Sequence, residues 1–113
     1  MRQTNIDQSK TLKMLDLPTD TADMYYWCGS DLRIGGPKAR DEEFDIPAWS
    51  TDCLLTIMKN EGVDVEVFTD DENKWCVGVE SYYGLSKEHL IDAVYDAMVW
   101  LLSNNKIFIN KNS

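Results

Sequence analysis

The sequence predicts one α+β domain in which two main helices, Ser50–Glu61 and Ser86–Ser103, pack on one face of an antiparallel sheet. Three observations predict it. Apolar residues recur at helical spacing through Leu90, Val94, Ala97, Met98 and Leu101, with Ile91 and Leu102 widening the stripe. Val63, Val65 and Val67 alternate with polar residues, as do Trp75, Val77 and Val79. The polar stretch between these two runs is far too short for a parallel crossover. A chain of 113 residues also suits a single domain, burying roughly two thirds of its unfolded surface.

From the amino terminus, Thr4 to Leu17 has the pattern of a short helix. Thr4 and Asp7 make a capping pair, Leu12 and Leu15 a thin apolar edge with Met14 beside it, and Pro18 a stop. Thr19 to Asp23 is rich in capping residues and predicts one more helical turn. Tyr25–Cys28 is short and aromatic, as strands are, and Gly29-Ser30-Asp31 supplies a turn. Leu32–Ile34 returns as a second strand that extends the sheet. Residues 35–45, opening on Gly35-Gly36-Pro37 and centred on Asp41-Glu42-Glu43, read as a polar surface loop.

Residues 46–104 then form a helix–hairpin–helix core. Ile46 arrives extended because a residue before proline is pushed out of helical geometry. Ser50 as N-cap puts Trp49 and Leu54 at staple positions; Ser86 does the same for Leu85 and Leu90. Leu54, Leu55, Ile57 and Met58 give the first helix its buried face, Asp52 suits its dipole, and Gly62 closes it. The hairpin Val63–Phe68 and Trp75–Tyr82 forms the centre of the sheet, and Gly78 within it marks a bulge or a close backbone approach. Asn104-Asn105 ends the long helix, and Lys106–Ile109 adds a short edge strand or trails.

Twenty acidic residues against 11 basic ones leave a formal net charge of −9, which disfavours direct contact with a nucleic-acid backbone. The same charge suits either solubility or a basic partner. Cys28, Cys53 and Cys76 are odd in number and sit in apolar or aromatic contexts, which predicts reduced, packed thiols rather than a disulfide framework. The first residues carry no apolar core of a secretory signal and no apolar run approaches the ~20 residues of a membrane span, so the expectation is a cytoplasmic protein without membrane contact.

Candidate sites each have a bland counterpart. Glu88, Asp92 and Asp96 form a carboxylate ladder at helical spacing, either a surface for a basic partner or cation, or a solvated helix face. Val99 projects on that same side and hints at contact with another chain. Asp70-Asp71-Glu72-Asn73 lacks the alternating acids, glycine and distant glutamate of a calcium loop and reads as turn chemistry. His89 falls at the third helical position without an oriented nucleophile. Tyr25-Tyr26-Trp27 and Tyr82-Tyr83 suit alternating core and rim positions better than base stacking, because their neighbours are acidic. No nucleophile elbow, phosphate loop, zinc helix or paired CxxC occurs, and no cofactor or metal is expected.

Gln8-Ser9-Lys10 with Leu12 and Leu15, Thr21-Ala22-Asp23-Met24-Tyr25, Asp45-Ile46-Pro47-Ala48-Trp49-Ser50, Lys74-Trp75 and Met98-Val99-Trp100-Leu101-Leu102 recur here in a familiar order. In them the chain resembles small proteins encoded by bacteriophages, prophages and other mobile elements of gut bacteria. It departs from their glutamate-asparagine-glycine ending at Ser103-Asn104-Asn105. That resemblance carries no assigned activity and implies an accessory protein of a bacterial host. The leading expectation is therefore a non-enzymatic protein acting through contacts with an unknown protein partner or with itself, possible contact residues being Glu88, Asp92, Asp96, Val99, Tyr82 and Tyr83. The alternatives are an acidic mimic of DNA that occupies a basic host protein, and a small enzyme pairing a cysteine with His89.

Overall fold

The computed structural model describes residues 2–107. Three helices and two three-stranded antiparallel sheets form an α+β globule. The expected strands are thus divided between two sheets rather than gathered in one. Helix α1 (Ile6–Met14) begins at Asn5, whose side chain accepts from the Gln8 amide at 2.7 Å while Gln8 reaches back to the Asn5 amide at 3.0 Å. This reciprocal pair replaces the expected cap at Thr4. Thr4 is instead buried: its hydroxyl meets Ser9 at 2.7 Å and accepts from the Trp49 amide at 3.1 Å. The α1 pattern yields Leu12 to the core, but Met14 stays in solvent. Thr19–Thr21 makes the short turn of 3-10 helix that the capping residues foretold.

The first sheet has the order β2-β1-β3, from β1 (Met24–Trp27), β2 (Asp31–Ile34) and β3 (Ile46–Ala48). The extended approach to the second helix is itself a strand, β3, and Pro47 is accommodated because β3 sits at the sheet's edge, where a missing N–H is tolerated. Residues 35–45 are more than a surface loop. They include a 3-10 turn at Pro37–Ala39 and bury both Arg40 and Asp45. The Asp45 carboxylate accepts from the Cys28 and Asp41 amides, each at 2.8 Å, and so fastens the loop to the β1–β2 turn. Both amides, the Asp41 one foremost, hold Asp45 below the usual carboxylate range, with Arg33 and Arg40 adding to the effect.

Helix α2 (Thr51–Asn60) starts as expected. The Ser50 hydroxyl accepts from the Cys53 amide at 3.1 Å, Trp49 and Leu54 are both fully buried, and Gly62 takes a left-handed φ of 77° beyond the last turn. The second sheet runs β4-β5-β6, from β4 (Val65–Thr69), β5 (Trp75–Val79) and β6 (Tyr82–Tyr83). Helix α3 (Leu90–Ser103) lies across its inner face, where Val77 and Val79 meet Val94, Met98 and Leu101, all three with 0% exposure.

The beginning of α3 is where expectation and structure part most. Lys87 belongs to the sheet, its backbone exchanging bonds of 2.6 and 2.8 Å with Trp75. A residue whose N–H and C=O serve a β ladder cannot also open a helix. Ser86 therefore caps no helix. Leu85 is 82% exposed and no staple forms, and α3 starts at His89 without a side-chain cap. The strand expected at Lys106–Ile109 extends beyond the described residues; Lys106 and Ile107 are not in one.

Candidate functional site

The proposed carboxylate ladder is not a free row. Glu88 precedes the helix and is exposed. Asp92 is half-buried and accepts from the Gln8 side chain at 2.8 Å, tying α1 to α3. Asp96 pairs with Lys87 at 3.2 Å. Val99 does not project into solvent; it packs against the core from a half-buried position. Tyr82 faces inward and stacks on Trp100, ring centres 5.2 Å apart at 15°. His89 is an exposed N-cap rather than a third helical residue.

Of the six residues, Tyr83 alone lies on an open, structured surface. β-strand alternation places Val67, Val77 and Val79 on the inner face, so their neighbours Glu66, Phe68, Cys76 and Gly78 lie on the outer one. Tyr83 pairs with Gly78 and lays its ring across it: a Cβ built at Gly78 would stand 2.3 Å from the ring. Gly78 therefore marks a close approach, not a bulge. From there the Tyr83 hydroxyl reaches the Glu66 carboxylate at 3.3 Å, and its ring meets Phe68 at a centroid distance of 6.4 Å. Tyr83 is 59% exposed and Phe68 44%. Beside them a groove of about 540 Å³ is lined by Asp64, Glu66, Glu80, Ser81 and Lys106 among others. Glu66 and Phe68 went unremarked in the sequence although the valine alternation already assigned them to the opposite side.

A second open surface lies on the first sheet. Every residue of β2 is exposed, Ile34 at 85%, and the Arg33 guanidinium covers the Trp27 ring at 4.4 Å. A groove of about 580 Å³ runs from Ile34 past Met24 to Leu90.

The thiols differ from one another. Cys28 is exposed, contrary to the packed position expected for it, and holds a φ of 50° in the β1–β2 turn. Cys53 donates to the Thr21 carbonyl at 3.1 Å, and burial, aided by the nearby Asp23 charge, pushes its thiol up to about 12. Such a thiol is a poor nucleophile. Asp70-Asp71-Glu72-Asn73 is the β4–β5 turn, with the Asp70 carboxylate accepting from the Glu72 and Lys74 amides at 2.9 and 3.0 Å. No three metal-ligating side chains converge among the described residues. Within the loop, Arg40 donates to the Thr19 carbonyl and pairs with Glu42 at 3.2 Å, while its Nε and Nη1 find no protein partner among the described residues. Compared with protein-family models, with curated proteins and with solved structures, the chain matches none.

Proposed function

We propose that the protein is a non-catalytic binding module that works through protein contacts made by its open sheets. The observation that carries this reading is the pair of edge strands, β2 and β4, whose outer sides carry no strand among the described residues and which are each bordered by exposed apolar side chains. Unpaired strand edges are templates for another chain, and soluble proteins ordinarily blunt them with charge, proline or cover. Here β2 shows Leu32 and Ile34 to solvent, and β4 shows Phe68 on its outer face and leaves Val67 partly exposed on its inner one. The elevated Cys53 thiol and its bond to Thr21 weigh against a cysteine-based enzyme. An acidic mimic of DNA loses its main support, since Asp92 and Asp96 are spent on Gln8 and Lys87. The setting this reading adopts is the cytoplasm of a bacterial host, with the protein as a phage or mobile-element accessory. No helix among the described residues is long and apolar enough to cross a membrane.

The test places a charge on each edge, Ile34→Lys and Phe68→Lys, both at exposed positions that the fold tolerates. Sedimentation velocity and affinity capture from host lysate are then compared with the parent protein. Loss of self-association or of a retained partner in one variant, with an unchanged circular dichroism spectrum, supports the reading. A parent protein that stays monomeric and retains nothing, or whose contacts ignore both substitutions, overturns it.

A further inference from the structure

Resting on that reading, we propose that the β4 edge accepts an extended, basic segment of a partner protein, whose cationic side chains settle at alternate positions onto the outer face beside Tyr83. Two features of different kinds meet there. The first is backbone: β6 and the Lys87 bridge occupy the far side of β5, and β4, the longer of the two terminal strands, has no strand on its outer edge among the described residues. An incoming strand on that edge presents every second side chain to the outer face. The second is chemical. That face offers the Tyr83 ring, held flat over Gly78, with Phe68 tilted against it. Around them stand Glu66, Glu80 and Asp64, against Lys106 as the one cation lining the groove among the described residues.

Charge complementarity selects the occupant. An aromatic face bordered by carboxylates suits guanidinium and ammonium groups, through cation–π contact and ion pairing together. It repels phosphates, which removes nucleic acid. The carboxylates do not converge on a point, so an isolated metal ion is poorly served. A second copy of a chain with net charge −9 would bring like charge to the same place.

The probe is a fluorescein-labelled eight-residue peptide alternating arginine with valine, titrated with the full chain and followed by anisotropy at low and physiological salt. Two control peptides replace arginine by glutamate, or two valines by proline, which removes edge hydrogen bonds without altering charge. The protein variants are Tyr83→Ala, Glu66→Gln and Gly78→Ala, the last evicting the Tyr83 ring while leaving the ring itself present. The expected result is saturable binding, weakened at least tenfold by the proline peptide and by Tyr83→Ala or Gly78→Ala, and severalfold by Glu66→Gln. Absence of binding overturns the proposal. So does binding indifferent to proline and to the ring, which is diffuse attraction to an acidic protein, or a dimer that closes this face and dissolves on Tyr83→Ala. If the peptide fails while Ile34→Lys abolishes capture of a partner, the broader reading stands and this one falls.

Discussion

At the scale of single residues, the chain uses side chains that look alike in different ways. Cys28 is exposed at a turn, Cys76 lies half-covered on the outer sheet face, and Cys53 is bonded to Thr21 with its proton tightly held. A thiol-selective reagent at pH 8 is therefore expected to modify Cys28 first and Cys53 last, which mass spectrometry of timed samples resolves; equal rates would contradict the burial of Cys53. The carboxylate of Asp45 leads to a pH effect of definite sign. Its folded pKa lies below the ordinary 3.8, so folding favours the ionised form. The resulting stability is whole above roughly pH 4 and is lost as the pH falls through the lower folded value. Asp45→Asn is expected to be less stable than the parent protein at neutral pH, with the gap in melting temperature narrowing towards pH 3. A gap that stays constant would mean that the carboxylate's charge is irrelevant.

At the scale of elements, two serines that look equivalent in sequence have different roles. Ser50 caps α2 and also donates to Asp23 at 2.5 Å, joining the helix to the residue that precedes β1. Ser50→Ala is expected to cost about 1–2 kcal/mol in denaturant melts. Ser86→Ala is expected to cost about 0.5 kcal/mol or less, because Ser86 caps no helix. Equal losses would restore the helix start that periodicity suggested. The reason for the difference explains what was legible. Helical spacing and strand alternation are local, and Leu54 to Met58, Val77 to Val79 and Leu90 to Leu101 follow them. The start of α3 is set by Trp75, twelve residues before Lys87, whose backbone captures that segment for the sheet. No window placed on Ser86 contains that competition. The same holds for β3, whose partner β1 lies some twenty residues earlier. The outer face was half visible: alternation put Glu66 and Phe68 together, but only the fold brought Tyr83 across Gly78 to join them.

At the scale of the whole molecule, the two halves of the chain share one interior. Leu12 and Leu17 from the first half belong to the same buried cluster as Val77, Met98 and Leu101 from the second, with Trp49 among them. Met98→Ala is accordingly expected to lower stability by about 2–4 kcal/mol and to shift far-ultraviolet and fluorescence transitions together. Two separated transitions would mean that the halves fold independently. The dimensions, 42 × 31 × 18 Å between Cα extremes, leave depth for about two layers of secondary structure at the ~10 Å spacing of packed layers. Among the described residues no third layer lies over the outer face of β4–β6, so that face is available to something else.

The isolation of Trp49 has a practical corollary for anyone handling the protein in solution. Its indole is wholly enclosed, with the ring nitrogen donating to Thr21 at 3.0 Å, whereas Trp27, Trp75 and Trp100 reach the solvent boundary. Adding acrylamide should extinguish the red part of the emission and leave a residual blue-shifted band from a single chromophore. Titrated that way, one cuvette separates events at the periphery from loosening of the interior, with no label attached.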